Sequence, residues 1–409
     1  MTPNDISGAI GYVVAGVRMS TDGASVVDIS DADGGALSLT STLATRPSTG
    51  ATLDGRVGIA LSRAAGSMLT SQVGGVAGEC VPHWMWALCS HSLADTYCGV
   101  TRMGPSGPSA VNSYLGCNGP TMWGGRGGNG APAWGTDTGV HLLEKWYDGT
   151  SSYIARDGEV VSSVGDVGYV FASAEVGLGG GYGGTADSVV WAAGWGLGDA
   201  YPRGRAAVAR WVRTHFPSTA LTMRVACAGD SHTAGNGPVY PWPQRLSVPG
   251  LVVDVRAAYP SWTCADVLSC PGYASQVSAG ASGLRSADVA VVWAGTNTLY
   301  FGGSADSAWA GVDQICRGYE SSGRHVFVLT CLDRKQQGTP GSYEPARLDL
   351  NGRIRASASA TRSIVDVALM PEFADSANAQ WFQADAVHLS QAGHDLLARR
   401  ISSRLLSGW

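Results

Sequence analysis

The chain carries little charge and no run of either sign. Asp, Glu, Lys and Arg make up 14% of its 409 residues, against a hydrophobic share of 44%. That balance excludes a disordered protein and demands buried cores. The formal net charge is −5, with no basic stripe, so no nucleic-acid partner is expected. No window holds about 18 consecutive apolar residues, so no membrane span is expected either. Met1-Thr-Pro-Asn-Asp5 lacks a basic region, and the apolar stretch 8–17 is short and broken by glycine. No signal peptide is read from this. Either a leader has been removed or the protein leaves its cell by another route, so a secreted, cell-surface or virion-associated location is expected. CxxC spacing is absent, which argues against a zinc site.

Two residue types are abundant instead. There are 57 glycines, suited to tight turns between many short strands, and 14 tryptophans against 6 phenylalanines. Nine cysteines leave at least one unpaired thiol, and Cys227, within an apolar run, is the natural odd one. Cys80, Cys89, Cys98 and Cys117 fall in one Gly- and Trp-rich stretch. That clustering favours a disulfide-stapled excursion in an extracytoplasmic protein, with zinc as the rival reading.

The two halves differ in rhythm. Up to about residue 200, short β-type runs such as 57–61, 140–146, 152–155, 160–164 and 188–193 are separated by Gly, Asp, Ser and Pro. Tyr147-Asp-Gly149 and Arg156-Asp-Gly158 read as hairpin turns. An antiparallel sandwich is expected, then a helix at 204–215 and a linker at 216–220. From Met223, apolar runs at 224–228, 251–255, 289–293, 326–330 and 364–367 alternate with helical segments. This alternation predicts a parallel sheet covered on both faces, with ligands at the C-terminal strand ends. The expected domains are 1–216 and 217–409.

Three motifs fall at predicted strand ends or on a terminal loop of the second half. Ala228-Gly-Asp-Ser231 follows the first strand, where a turn into a helix can present a hydroxyl beside backbone N–H groups. Asp385-Ala-Val-His388 lies just before the last helix, close enough for the carboxylate to orient the imidazole. Gly295-Thr-Asn297 ends another strand, where a side-chain amide can donate to an oxyanion. Singly, the first reads equally well as a turn with an N-cap serine, the second as a structural histidine capped by its neighbouring Asp, and the third as a turn. His394 falls inside the last helix and is read as structural.

Together these motifs resemble the SGNH hydrolases, also called GDSL esterases/lipases. Gly229-Asp-Ser231, Gly295-Thr-Asn297 and Asp385-Ala-Val-His388 match three of that family's four blocks. The resemblance implies a flavodoxin-like α/β/α fold, with Ser231 as nucleophile, His388 as base and Asp385 as its orienting acid. It also implies an oxyanion hole from the Ser231 N–H and the Asn297 amide, and no metal or organic cofactor. Two departures stand out. Ser261, in Tyr259-Pro-Ser-Trp-Thr263, replaces the second-block glycine, though its N–H remains available as a third donor. Thr298 replaces the Asp that often follows the third-block Asn.

Residues 1–216 resemble a concanavalin A-like, laminin-G-type jelly roll through Val26–Gly34, Thr45-Arg-Pro47 and the strand–turn–strand run from His141 to Gly158. Carbohydrate or protein binding is that fold's usual work. Trp84, Trp86, Trp123 and Trp134 are candidates for a sugar platform there, or for the small core of their own loop. Trp262 and Gly295 are candidate substrate contacts beside the motifs. Asp28, Asp31 and Asp33 could hold Ca²⁺, but a solvated turn is the preferred reading. The function expected is a carbohydrate esterase, an O-deacetylase acting on a polysaccharide or glycan. The alternatives are a phage tail or virion adhesion component that trims glycans, and a lipase or thioesterase.

Overall fold

The computed structural model describes residues 2–6, 9–41, 46–62, 68–72, 82–91, 98–103, 113–118, 121–124, 130–133, 139–164, 175–179, 187–199, 201–219, 221, 223–248, 250–281, 288–336 and 338–406. The chain divides into two compact units, Met1–Leu221 and Thr222–Trp409. No helix among the described residues is long and apolar enough to cross a membrane.

The N-terminal unit is a large antiparallel sheet. At its centre run β1 (Ala9–Val14), β2 (His83–His91), β3 (His141–Tyr147) and β5 (Ser188–Leu197), with β4 (Ser152–Arg156) paired to β3. The turn chemistry works as the sequence suggests. Asp157 and Gly158 both take positive φ, at 52° and 82°, and close a two-residue hairpin between Arg156 and Glu159. Asp148 opens a four-residue loop by accepting from the N–H groups of Thr150 and Ser151. Asp31 is a buried turn-former that accepts from the N–H groups of Tyr12, Asp33 and Gly35. The solvated turn expected here holds for the exposed Asp33, while Asp31 at its start is buried. Among the described residues, no group of three His, Cys, Asp or Glu side chains could hold a metal ion.

The sandwich reading did not anticipate that the central strands are buried on both faces. Met85, Ala87 and Leu143 join one core. Their neighbours Trp84, Trp86, Leu88, Leu142 and Trp146 join another. Helix α1 (Tyr201–His215) covers that second face through Tyr201, Val208, Trp211 and Val212. Arg205 of α1 reaches the sheet and pairs with Glu144 through two buried hydrogen bonds of 3.0 Å. This corrects the sugar-platform expectation for Trp84 and Trp86. Both lie on β2 rather than in a loop, and both are at most 1% exposed. Trp84 stacks on Tyr201, with ring centroids 4.9 Å apart. The Trp123 side chain and Trp134 lie outside the described residues.

The cysteines divide similarly. Cys89 is buried on β2, while Cys98 and Cys117 occupy opposite positions on adjacent antiparallel strands. Cys80 lies outside the described residues. In the C-terminal unit, Cys227, Cys264, Cys270, Cys316 and Cys331 are all buried free thiols, four more than the single odd thiol singled out from the sequence.

The C-terminal unit is built on five parallel strands. These are β6 (Met223–Gly229), β7 (Leu251–Ala258), β8 (Val289–Trp293), β9 (His325–Leu329) and β10 (Arg362–Val365), in the spatial order β7-β6-β8-β9-β10. Every residue of β8 and β9 is buried. One face packs under α3 (Cys264–Ser269), α4 (Pro271–Ala281), α6 (Ala305–Ser321) and α7 (Tyr343–Ala356). The other packs under α8 (Gln391–Leu406) and the segment carrying Phe373 and Phe382. Two short helices, α2 (Ser231–Ala234) and α5 (Thr296–Tyr300), lie at strand ends. The sheet covered on both faces agrees with the α/β reading of this half.

Cross-strand register places Gly196 opposite Trp84 and Gly194 opposite Trp86. A Cβ on either glycine would fall on the partner's indole ring. Gly196→Ala is expected to lower the denaturant midpoint of the full chain, read by tryptophan fluorescence. Because the indole is locked under α1, the cost should reach about 3 kcal/mol, the upper end for overpacking.

Candidate active site

Register brings three motif loops to one edge. Gly229, at the end of β6, pairs with Ala258 of β7 and with Trp293 of β8. The turns that follow each strand therefore lie side by side. The Tyr259 N–H donates to the Gly229 carbonyl at 3.3 Å, tying the loop with Ser261 to the loop with Ser231. Gly229 itself is enforced by crowding, because a Cβ there would collide with the Trp293 carbonyl.

Ser231 is the first residue of α2, and Asp230 is its N-cap, accepting from the His232 N–H at 3.0 Å. On the far side of the edge, Gly295 takes φ 112° at the end of β8 and starts α5, which carries Asn297. The Asn297 amide donates to the Trp262 carbonyl at 3.2 Å. Thr298 bonds the Cys264 N–H at 3.0 Å and so clamps the start of α3 to α5. Ser261 sits at φ 68°, the left-handed conformation that glycine adopts most readily. The serine found in the glycine position therefore keeps the glycine's backbone shape.

Asp385 and His388 lie on a tight loop before α8. Asp385 Oδ1 accepts from the N–H groups of Val387 and His388, each at 3.0 Å. Its Oδ2 meets His388 Nδ1 at 2.5 Å, and His388 Nε2 lies 2.8 Å from Ser231 Oγ. The structure thus joins Ser231, His388 and Asp385 in one hydrogen-bonded chain, in the geometry a hydroxyl nucleophile needs. Burial works against the Asp385 charge, but the bonds from the His388 ring and the two N–H groups outweigh it and hold the carboxyl below its ordinary range.

Residues outside the sequence motifs complete the site. The Asn236 amide lies 3.0 Å from His388 Nδ1. The Gln383 amide donates to the carbonyls of Asn236 and Leu389, bridging the two loops. His232 is buried against Trp293 and 5.6 Å from the His388 ring. Burial, then the neighbouring His388 and His394, push its ionisation well down. Arg334, on the loop after β9, has Nη1 3.4 Å from Asn297 Oδ1. Position at a strand end was the signal that could have found it. His394 is buried in α8 and accepts the Trp242 N–H.

Residues 227–396 match the GDSL-like Lipase/Acylhydrolase family. The C-terminal half therefore carries a GDSL/SGNH hydrolase domain. The protein is accordingly an ester-hydrolysing enzyme. No curated protein matches the chain. Among solved structures, a GDSL-like lipase from Bacteroides thetaiotaomicron is 19% identical, covering 45% of this chain and 88% of its own, with a TM-score of 0.35. The lipase/acylhydrolase from Enterococcus faecalis is 16% identical, covering 46% and 96%, with a TM-score of 0.35. A Bacillus subtilis protein is 11% identical, covering 95% and 88%, with a TM-score of 0.33.

Asp230 gives a pH-dependent signature. Burial, only partly offset by the His232 N–H and Arg334, pushes its carboxyl up to about 7. In the unfolded chain the value is about 4. The folded state therefore binds a proton between these values. The associated stability is full below pH ~4 and is lost as pH rises through about 7. Asp230→Asn keeps the shape and the cap acceptor but cannot ionise. Between pH ~4 and ~8 the wild type is expected to lose up to about 4 kcal/mol relative to this variant, read from unfolding midpoints.

Proposed function

We propose that the protein is a serine esterase in which Ser231 is the nucleophile, His388 the general base and Asp385 its orienting acid. The supporting observation is the unbroken hydrogen-bonded chain from Ser231 Oγ through the His388 ring to Asp385, at 2.8 and 2.5 Å, on the C-terminal edge of a parallel sheet. Ser231 attacks the ester carbonyl while His388 takes its proton. The tetrahedral oxyanion is met by the N–H groups of Ser231 and Ser261 and the Asn297 amide. His388 then protonates the departing alcohol, and water, activated by the same ring, hydrolyses the acyl-enzyme. Asp385 stabilises the transient imidazolium and stays ionised throughout. No metal or organic cofactor enters these steps.

The substrate we infer is a small acyl group, such as acetyl, on a carbohydrate. Supporting this are Tyr259, 60% exposed, and the half-buried Trp262, which flank Ser261 with ring centroids 5.6 Å apart. An aromatic pair beside the oxyanion donors suits a sugar face better than an acyl chain. The N-terminal unit is proposed as a docking module of the concanavalin A-like kind. That reading is supported by its antiparallel sheet and Asp-Gly hairpin.

Ser231→Ala is expected to reduce hydrolysis of p-nitrophenyl acetate by about 10³-fold or more at an unchanged unfolding midpoint. Full activity in a folded variant overturns the assignment. Asn297→Ala should lower kcat by about 10²–10³-fold with a smaller change in KM, as expected for a donor that meets charge only in the transition state.

A further inference from the structure

Several arginines of the C-terminal unit are neutralised by carboxylates. Arg347 pairs with Glu344, Arg355 with Asp366, and Arg362 with Asp313 and Glu320. Arg334 is held differently. Its guanidinium lies over the Tyr300 ring, 3.6 Å from the centroid. Its Nη2 donates to Gln336 Oε1 at 2.7 Å, and its Nη1 faces Asn297 Oδ1 at 3.4 Å. Its Nε is buried and meets no acceptor. Among the described residues, no carboxylate stands within ion-pair reach of the guanidinium. Asp230, which feels its charge, is itself pushed by burial toward the neutral form.

A guanidinium cannot shed its proton, and its donors sit in a rigid fork. A half-buried one with an unused donor and no counter-ion carries a desolvation cost that an incoming anion would relieve. An aromatic face and two amide oxygens fix the plane of the Arg334 fork without neutralising it. The fork also lies against the amide proposed to meet the oxyanion.

We propose that Arg334 is an anion-recognising subsite, and that the preferred substrate is an ester carrying a carboxylate close to the scissile carbonyl. This rests on the serine-esterase reading above. A carboxylate presents two oxygens to the fork and matches its geometry. The carboxylate belongs either to the alcohol part, as in an acetylated uronic acid, or to the acyl part, as in a hemisuccinate.

Two substrate pairs separate these sources. One compares acetate release from an O-acetylated methyl glucuronoside with release from the corresponding neutral glucuronamide. The other compares p-nitrophenyl hemisuccinate with p-nitrophenyl valerate, each corrected for its uncatalysed rate. In the wild type, the ratio of kcat/KM, anionic over neutral, is expected to reach about tenfold or more for one pair, the scale of a charge-assisted hydrogen bond. It should shrink with added salt. The ratio should fall toward one in Arg334→Gln and lie between these values in Arg334→Lys, which keeps the charge without the fork. If Arg334→Gln does not fold, Arg334→Lys carries the same comparison. A wild-type ratio at or below one for both pairs overturns the proposal. So does a ratio left unchanged by the substitution, which would mean that Arg334 only steadies the Asn297 amide and affects both esters alike. Failure of the wild type to hydrolyse any of the four esters, or full hydrolysis by Ser231→Ala, strikes instead at the serine-esterase reading beneath it.

Discussion

The contact between Ser231 Oγ and His388 Nε2 spans 157 residues of sequence, and the site depends on the chain closing that distance accurately. A single hydrogen bond contributes only about 1 kcal/mol net, too little to hold two loops in register. Packing does that work. Phe382, Val387 and Leu389 are buried around the histidine loop, and Phe382 and Leu389 form a small antiparallel bridge across it. The Gln383 N–H closes the loop on the His388 carbonyl at 2.7 Å. On the serine side, crowding at Gly229 leaves no room for a side chain where β6 turns into α2. The hydroxyl and the imidazole therefore meet because two apolar cores are already fixed, and the hydrogen bond reports that alignment rather than creating it.

The electrostatics of the site follow from the same burial. Asp230 and His232 flank the nucleophile in sequence, yet both lie inside the protein and are pushed toward their neutral forms. That leaves Asp385 as the carboxylate favoured to be charged beside the imidazole, and Arg334 as a cation next to Asn297. The site thus carries a carboxylate bonded to its imidazole and a guanidinium bonded to its Asn297 amide. In the proposed reaction, charge developing on the carbonyl oxygen meets the Asn297 amide, and charge developing on the imidazole faces Asp385.

The motifs were legible because their chemistry depends on short spacings and strand ends, which sequence records directly. Apolar runs alternating with helices indicated the parallel sheet, and the three-residue step from Asp385 to His388 is a local geometry. Ser261 was legible as a departure whose N–H remains available, but its backbone conformation was not. Only the backbone shows that it takes φ 68°, the left-handed conformation that glycine adopts most readily. Gln383 was missed because its role depends on which loops become neighbours, which no spacing encodes, and Arg334 because its strand-end position alone does not say which side chains it meets. The tryptophans failed for the opposite reason. A run such as His83-Trp-Met-Trp-Ala-Leu88 alternates between two faces, and pattern alone does not say that both are buried.

Burial on both faces changes where a ligand can meet the N-terminal unit. In a two-layer sandwich the outer face of each sheet is open to solvent and can carry an aromatic platform. Here α1 occupies that face over the central strands, and the buried Arg205–Glu144 pair anchors it. Breaking such a pair by removing one partner would leave a buried charge uncompensated, which is far costlier than losing a surface ion pair. The helix therefore covers this face through both apolar packing and a buried ion pair. The glycines opposite Trp84 and Trp86 point the same way, since each supplies the room into which an indole folds flat against the neighbouring strand. A carbohydrate held by this unit must then be held away from the face under α1, by a rim or by the remaining sheet surface. A partly exposed aromatic pair is found instead in the C-terminal unit, where Tyr259 and Trp262 lie with ring centroids 5.6 Å apart beside Ser261, and the proposed sugar contact rests on that pair.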